Sequence, residues 1–252
     1  MRNFERHAKI LSMLQSHEHA SIDALAAACN TTAQTIRRDL KELAQAGLLK
    51  RFHGGAMLAD ATPVAISYDA KRNLPQKELV ASLVPDLIPN DSSIFLSGGS
   101  TLAFAAEGLR RRDGLTIVTN NLHAAVALFD RKGFELHVVG GLSRIASGSI
   151  TGERAVDFIG RFKVDIAVLG TSGIDADGTL LEYDHSIVSS MRAMISNSRK
   201  KILVADSSKF QGGGVVRGAH ISEFDIFVCD RKPPAIMMEL LSAGGVALHL
   251  PK

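Results

Sequence analysis

Apolar residues in the first third of this chain fall at helical spacing. Ile10, Leu11 and Leu14 mark a helix over Glu5–Gln15, and Ile22, Leu25 and Ala26 a short one over Ile22–Cys29. Ile36, Leu40 and Leu43, at i, i+4 and i+7, form a buried stripe on a third helix from Ala33 to about Ala46. Ser21 and Thr32 stand where N-caps belong, Asn30-Thr31 makes the turn between them, and Gly47 ends the third helix. Leu48 to Gly55 then reads as a hairpin with one basic strand. Periodicity is lost from Leu58 to Ser67, a stretch that contains Pro63, and the domain boundary belongs there. Tyr68 to Ile88 reads as a helical segment interrupted near Pro75. Beyond it, short apolar runs at Ser93–Leu96, Leu115–Val118, Glu135–Val139, Asp165–Leu169, Lys201–Ala205 and Phe224–Val228 read as strands. Helical stretches at Leu102–Arg112, Leu122–Phe129 and Val188–Asn197 fall between them. Such alternation predicts a mostly parallel, Rossmann-like sheet covered on both faces, so the fold class is α/β behind a small winged helix-turn-helix. The expected division is a head at 1–57, a linker at 58–74 and a larger domain at 75–252.

With Ile36, Leu40 and Leu43 facing inward, Gln34, Thr35, Arg37, Arg38 and Lys41 must face outward. Arg and Gln read base edges in a major groove, and a helix presenting them after a tight turn has the geometry to enter one. Lys50, Arg51, His53 and Gly54 of the hairpin would follow the backbone as a wing, and Ser21 and Thr32 lie at the helix starts that approach phosphates. The alternative is an ordinary amphipathic pair with a solvated charged face. Charge placement decides against it. Residues 1–57 carry 8 Lys/Arg and 5 Asp/Glu, whereas the rest of the chain carries 21 of each, so the whole +3 excess lies on the helix-turn-helix segment.

Composition narrows the remaining classes. At 252 residues and 46% hydrophobic content the chain can bury one small and one larger core. No stretch approaches the roughly 20 apolar residues of a membrane span, and Met1-Arg2-Asn3-Phe4-Glu5-Arg6 lacks the apolar core of a signal peptide, so a cytoplasmic location is expected. Cys29 and Cys229 have no second ligand at metal spacing and are expected as buried hydrophobes in a reducing compartment.

In a parallel sheet ligands collect at the carboxyl ends of the strands. Ser97-Gly98-Gly99-Ser100-Thr101 follows the first strand directly before a helix, and amides with two hydroxyls there suit a phosphate dianion. Thr119-Asn120-Asn121, Gly140-Gly141 and Gly170-Thr171-Ser172-Gly173 end the next strands, and Asp206-Ser207-Ser208-Lys209 supplies a lysine. Gly140-Gly141 alone reads equally well as a plain turn. Neither GxGxxG nor a Walker lysine is present in this order, so the pattern points to a small phosphorylated metabolite and to no nucleotide cofactor or metal. Glu182 can accept a ligand hydroxyl or be a solvated loop carboxylate.

Gln34-Thr35-Ile36-Arg37-Arg38-Asp39-Leu40 followed by Arg51-Phe52-His53-Gly54-Gly55-Ala56 resembles the signature of the DeoR family of bacterial transcriptional regulators. Thr116 to Asn121, Gly170 to Asp175, Asp177-Gly178 and Asp206 to Phe210 are similar to that family's sensor domain, so the match spans nearly the whole chain. The resemblance implies a sensor fold shared with sugar-phosphate isomerases, in which the early Gly-Ser/Thr loop and a late lysine hold phosphate. It also implies a repressor of carbohydrate or glycerol metabolism genes. That repressor would read double-stranded operator DNA as a homo-oligomer, dimer or tetramer, joined through its sensor domain. Its effector would be glycerol-3-phosphate or a sugar phosphate, held by Ser97, Gly98, Gly99, Ser100, Thr101, Thr119, Asn120, Asn121, Gly141, Gly170, Ser172, Gly173, Asp175, Glu182 and Lys209. A competing class is a sugar-phosphate isomerase or deaminase with a DNA-binding appendage, for which Glu182, Asp175 and His185 are the acid/base candidates. A protein-binding adaptor is disfavoured by the localised basic charge.

Overall fold

The computed structural model describes residues 3–17, 19–45, 48–52, 54–58, 73–144, 147–211 and 213–251. The chain divides into two compact units, Met1–Asp69 and Ala70–Lys252. His53, Gly47, Pro63 and the segment Tyr68–Arg72 lie outside the described residues, as does the side chain of Lys50.

The first unit holds α1 (Asn3–His17), β1 (His19–Ser21), α2 (Ile22–Cys29), α3 (Ala33–Gln45), β2 (Leu49–Phe52) and β3 (Gly55–Leu58). Ile10, Leu14, Leu25, Ile36, Leu40 and Leu43 close into one core, as their helical spacing predicts. Ser21 Oγ accepts from the Ala24 amide at 3.1 Å, and Thr32 Oγ1 from the Thr35 amide at 3.2 Å, so both cap positions act as caps. Asn30 takes the left-handed turn between α2 and α3 at φ 48°. The hairpin β2–β3 becomes a three-stranded sheet because β1 pairs antiparallel with β3, Ser21 opposite Gly55.

In the second unit α4 (Leu74–Leu83) comes first, with Pro75 in its first turn. The expected interruption at Pro75 is thus a helix start: the missing N–H costs nothing where no acceptor exists. After it come β4 (Ser93–Leu96), α5 (Ser100–Leu109), β5 (Thr116–Thr119), α6 (Leu122–Leu128) and β6 (Glu135–Val138). A hairpin, β7 (Leu142–Arg144) and β8 (Ser149–Thr151), leads into α7 (Glu153–Ile159) and β9 (Val164–Leu169). Then follow β10 (Gly173–Ile174), β11 (Thr179–Glu182), α8 (His185–Ser196), β12 (Ser198–Val204), a 3-10 turn at Ser207–Gln211 and β13 (Val216–His220). Strands β14 (Ile226–Val228) and β15 (Ala247–His249) flank α9 (Ala235–Ala243).

Seven strands form a parallel sheet in the order β15-β14-β12-β9-β4-β5-β6. Its two faces explain the unbroken apolar runs. Ile166 and Val168 of β9 join the cluster that contains Leu102 and Leu128, while Ala167 and Leu169 join the one that contains Met194 and Leu241. The hairpin β7–β8, helix α7 and the antiparallel sheet β10-β11-β13 are additions to the alternating pattern. All of them lie between β6 and β14 in the chain, and each is too short to carry a clear period.

Candidate functional sites

On α3 the side chains of Gln34, Arg37, Arg38 and Lys41 are exposed, and Thr35 is half-buried. Among the described residues Arg38 meets only Glu42, one turn on at 3.8 Å, and Arg37 and Lys41 form no ion pair. Opposite them Asp39 is wholly buried. It does not orient Arg37 or Arg38. Its carboxylate accepts from Arg6 Nε and Nη2 of α1 at 2.5 and 2.9 Å, and His7 Nε2 lies 3.3 Å away. Burial works to raise the Asp39 carboxyl, but the Arg6 bonds and charge, with His7, hold it below the ordinary range, and Asp39 in turn raises Arg6. This buried pair fixes α1 against the helix that carries the outward row. In the wing Arg51 and Gly54 are exposed. Gly54 adopts φ 94°, and its carbonyl accepts from the Ile22 amide at 2.9 Å, which ties the wing turn to the start of α2.

The second site forms where β4, β5, β9 and β12 end. No side chain caps α5, and its first backbone bond runs from the Ala103 amide to the Gly99 carbonyl. The amides of Ser100, Thr101 and Leu102 are therefore the open donors of a helix start. Gly99 has φ 115° with nothing within 4 Å of where a Cβ would stand, so its backbone faces open space. Ser97, Gly98, Ser100 and Thr101 are all half-buried. Gly98 is demanded by packing, since a Cβ there would stand 2.1 Å from Ser149 Oγ of β8.

Several residues expected to touch an effector instead build this loop. Asn121 is wholly buried: Nδ2 donates to the carbonyls of Ser97 and Gly99 at 3.2 and 3.0 Å, and Oδ1 accepts from the His123 and Ala124 amides. Thr119, also fully buried, donates to the Leu96 carbonyl at 2.7 Å and accepts from the Asn121 amide. Both lie beneath the site and have no polar atom left over. Asn120 donates to the Ile150 carbonyl at 2.9 Å, which anchors the β7–β8 hairpin. Gly141 turns into that hairpin at φ 152°, where a Cβ would meet Ile150 and the Thr151 carbonyl at 3.0 Å. Asp175 is exposed in the β10–β11 turn, two residues past Gly173, and its carboxylate accepts from the Ala176 amide. It stands at the end of this hairpin away from Glu182, because Gly173 pairs with Leu181.

Glu182 is 4% exposed, not a solvated loop carboxylate. It accepts from the Ser172 hydroxyl at 2.6 Å and the Ser172 amide at 3.1 Å. Burial pushes its carboxyl up, against Ser172 and the nearby positive charge of Lys209, which pull it down. The Gly170 amide donates to Ser97 Oγ at 3.3 Å, linking the ends of β4 and β9, and Gly173 is buried within β10. Lys209, half-buried in the 3-10 turn after β12, makes no salt bridge among the described residues. The sheet order thus brings the Ser97–Thr101 loop, Gly170 to Ser172, Glu182 and Lys209 to one end, with open amides and a lysine as its donors. It does not assemble an acid/base pair: Asp175 and His185 are exposed, and Glu182 is engaged by Ser172.

Sequence reasoning missed the wall formed by the β7–β8 hairpin. Arg144 of β7 reaches Asp184 at 2.5 Å and the Ser186 hydroxyl at 3.2 Å. Burial opposes ionisation of Asp184, yet the Ser186 hydroxyl and amide and the Arg144 charge bring its carboxyl down to about 2. Asp184 also caps α8, which therefore begins at His185 and not at Val188. An Asp just before a helical run was the available signal.

A DeoR-like helix-turn-helix domain model matches residues 6–62, and a DeoR C-terminal sensor domain model matches residues 72–231. The chain is 38% identical over 251 residues to the glycerol-3-phosphate regulon repressor of Escherichia coli (strain K12), covering 99% of this chain and 100% of that protein. It is 39% identical to the repressor of the same name from Haemophilus influenzae, over 94% of this chain and 93% of that one. To the HTH-type transcriptional repressor CsqR of Escherichia coli it is 30% identical, over 98% and 95%. Among solved structures, ribose 5-phosphate isomerase from Plasmodium falciparum matches at TM-score 0.39 and 18% identity, over 53% of this chain and 52% of that one. A likeness at that level carries no functional weight. No helix among the described residues is long and apolar enough to cross a membrane.

Proposed function

The chain belongs to the DeoR family, and from that premise we propose that it is a transcriptional repressor whose sensor domain takes a phosphorylated polyol or sugar. The observation that carries this reading is the pairing, in one chain, of an outward Gln34-Thr35-Arg37-Arg38-Lys41 row with a strand-end site rich in open donors. The row supplies base contacts from Gln34, Thr35, Arg37 and Arg38, with Lys41, Lys50, Arg51 and His53 nearer the phosphates. The sensor site suits a dianion: the amides at the start of α5 and the Lys209 ammonium donate to phosphate oxygens, each bond worth roughly 1.5–3 kcal/mol because the acceptor is charged. Ser172, oriented by Glu182, addresses the remainder of the ligand. Relatives at 38% and 39% identity are named for the glycerol-3-phosphate regulon, which makes glycerol-3-phosphate the first candidate and a sugar phosphate the second. The reading includes no catalysis, no cofactor and no metal, and a cytoplasmic protein that acts as a homo-oligomer. Bound effector would bias the sensor domain between two arrangements and so alter how paired heads meet DNA.

Thermal melts of the full chain with glycerol-3-phosphate, ribose-5-phosphate, glycerol and ribose test the sensor reading. A rise in melting temperature with a phosphorylated compound and none with its parent is expected. Equal responses to both members of each pair would sink the phosphate assignment. Turnover of ribose-5-phosphate or glucosamine-6-phosphate would favour the enzymatic alternative.

A further inference from the structure

Helix α6 is the outermost helix on its face of the sheet, because β5 and β6, which it connects, end the strand order. Its inner side buries Ala124, Ala125 and Leu128. Its outer side is apolar as well. Leu122, Val126 and Phe129, at i, i+4 and i+7, are 36, 69 and 75% exposed, and Val138 at the end of the edge strand β6 is 40% exposed. Val138 shares the parity of Leu136, which packs on the same side of the sheet as α6, so it extends this face. With about 150–200 Å² per residue these exposures leave roughly 400 Å² of apolar surface. Patches of that size are often functional, and it is about half of the roughly 800 Å² per partner in a standard interface.

We infer that this α6 face pairs with the α6 face of a second copy of the chain, antiparallel across a two-fold axis at Val126. Two features select a second copy over other partners. Leu122–Leu128 contains no Asp, Glu, Lys or Arg, so it offers nothing to a charged partner, whereas a two-fold contact must be free of charge at its centre, where each residue meets itself. The stripe is also nearly symmetric about Val126: antiparallel pairing sets Leu122 against the second copy's Phe129 and Phe129 against its Leu122. The inference rests on the reading of the head as one of a pair, since one helix-turn-helix reads only half of a two-fold operator.

The test is the mass of the full-length protein in solution, measured without DNA so that failure of the repressor reading leaves it intact. Val126→Glu and Val126→Arg should each halve the mass while leaving the chain folded by circular dichroism, since the side chain is 69% exposed in the single copy. An equimolar mixture of the two should recover the wild-type mass, because opposite charges would then meet at the axis. Phe129→Glu should also halve it, and Ile236→Glu on α9, a 54% exposed apolar position elsewhere, should leave it unchanged. A monomeric wild-type protein, unchanged mass in the Val126 and Phe129 variants, or a mixture that stays at half mass would overturn the inference.

Discussion

At the scale of single residues, burial decides which polar groups build the protein and which face a ligand. Asp39 sits in a row of charged residues, and only its register with Ile36, Leu40 and Leu43 hinted that it faces inward. Its partner Arg6 lies 33 residues away, a distance that no local pattern reports. Asp39→Ala would remove the buried carboxylate that holds Arg6 of α1, at a cost of about 1.5–3 kcal/mol for the charged hydrogen bonds lost from the head. Calorimetry should show a lowered head transition with the sensor transition unmoved. Asp184 has a clear pH signature. The Ser186 hydroxyl and amide, with Arg144, bring its carboxyl from an ordinary 3.8 down to about 2, so these bonds and the ion pair together contribute fully above about pH 4 and are lost as pH falls toward 2. Arg144→Ala should shallow the acid limb of the stability curve in that window. An unaltered limb would show that the pair contributes nothing there.

At the scale of elements, long periodic segments were legible and short ones were not. The three helices of the head, its wing and six strands of the parallel sheet with the loops after them follow from spacing and from glycine after apolar runs, whereas α9 and the edge strand β15 lie beyond the last run read as a strand. The hairpin β7–β8 did not, because three-residue strands carry no period. For the same reason Thr119 and Asn121 read as ligand contacts when they are the props under the Ser97–Thr101 loop. Gly98→Ala tests that architecture. A methyl group 2.1 Å from Ser149 Oγ must displace either the hairpin or the loop, so response to a phosphorylated effector should fall at least tenfold while the protein stays folded. In the head, Arg37→Ala or Arg38→Ala should cost about 1–3 kcal/mol on the preferred sequence and relax the preference at one base pair. Arg51→Ala should instead weaken all sequences alike and flatten the salt dependence. Equal effects of the two kinds of variant on specific and non-specific DNA would reverse these roles.

For the whole molecule, the sheet order gathers residues from four distant stretches of sequence at one end of the sensor unit, while the head carries the charge excess at the other end of the chain. Each half was recognisable by itself. What spacing does not convey is coupling, because that depends on how one copy meets another and on a change of arrangement when ligand binds. Lys209 separates sensing from DNA reading, since it lies in the sensor unit and far in sequence from every residue of the head. The most direct measurement is a fluorescence anisotropy titration of wild-type and Lys209→Ala proteins on DNA selected by the full-length chain from a random pool, with and without glycerol-3-phosphate or ribose-5-phosphate. The expected result is equal DNA affinity for the two proteins without ligand, a change in affinity of wild type with one of the phosphates, and none for Lys209→Ala at the same concentration. A Lys209→Ala protein that responds at the wild-type concentration, or a wild-type protein that selects no DNA sequence at all, would contradict the account.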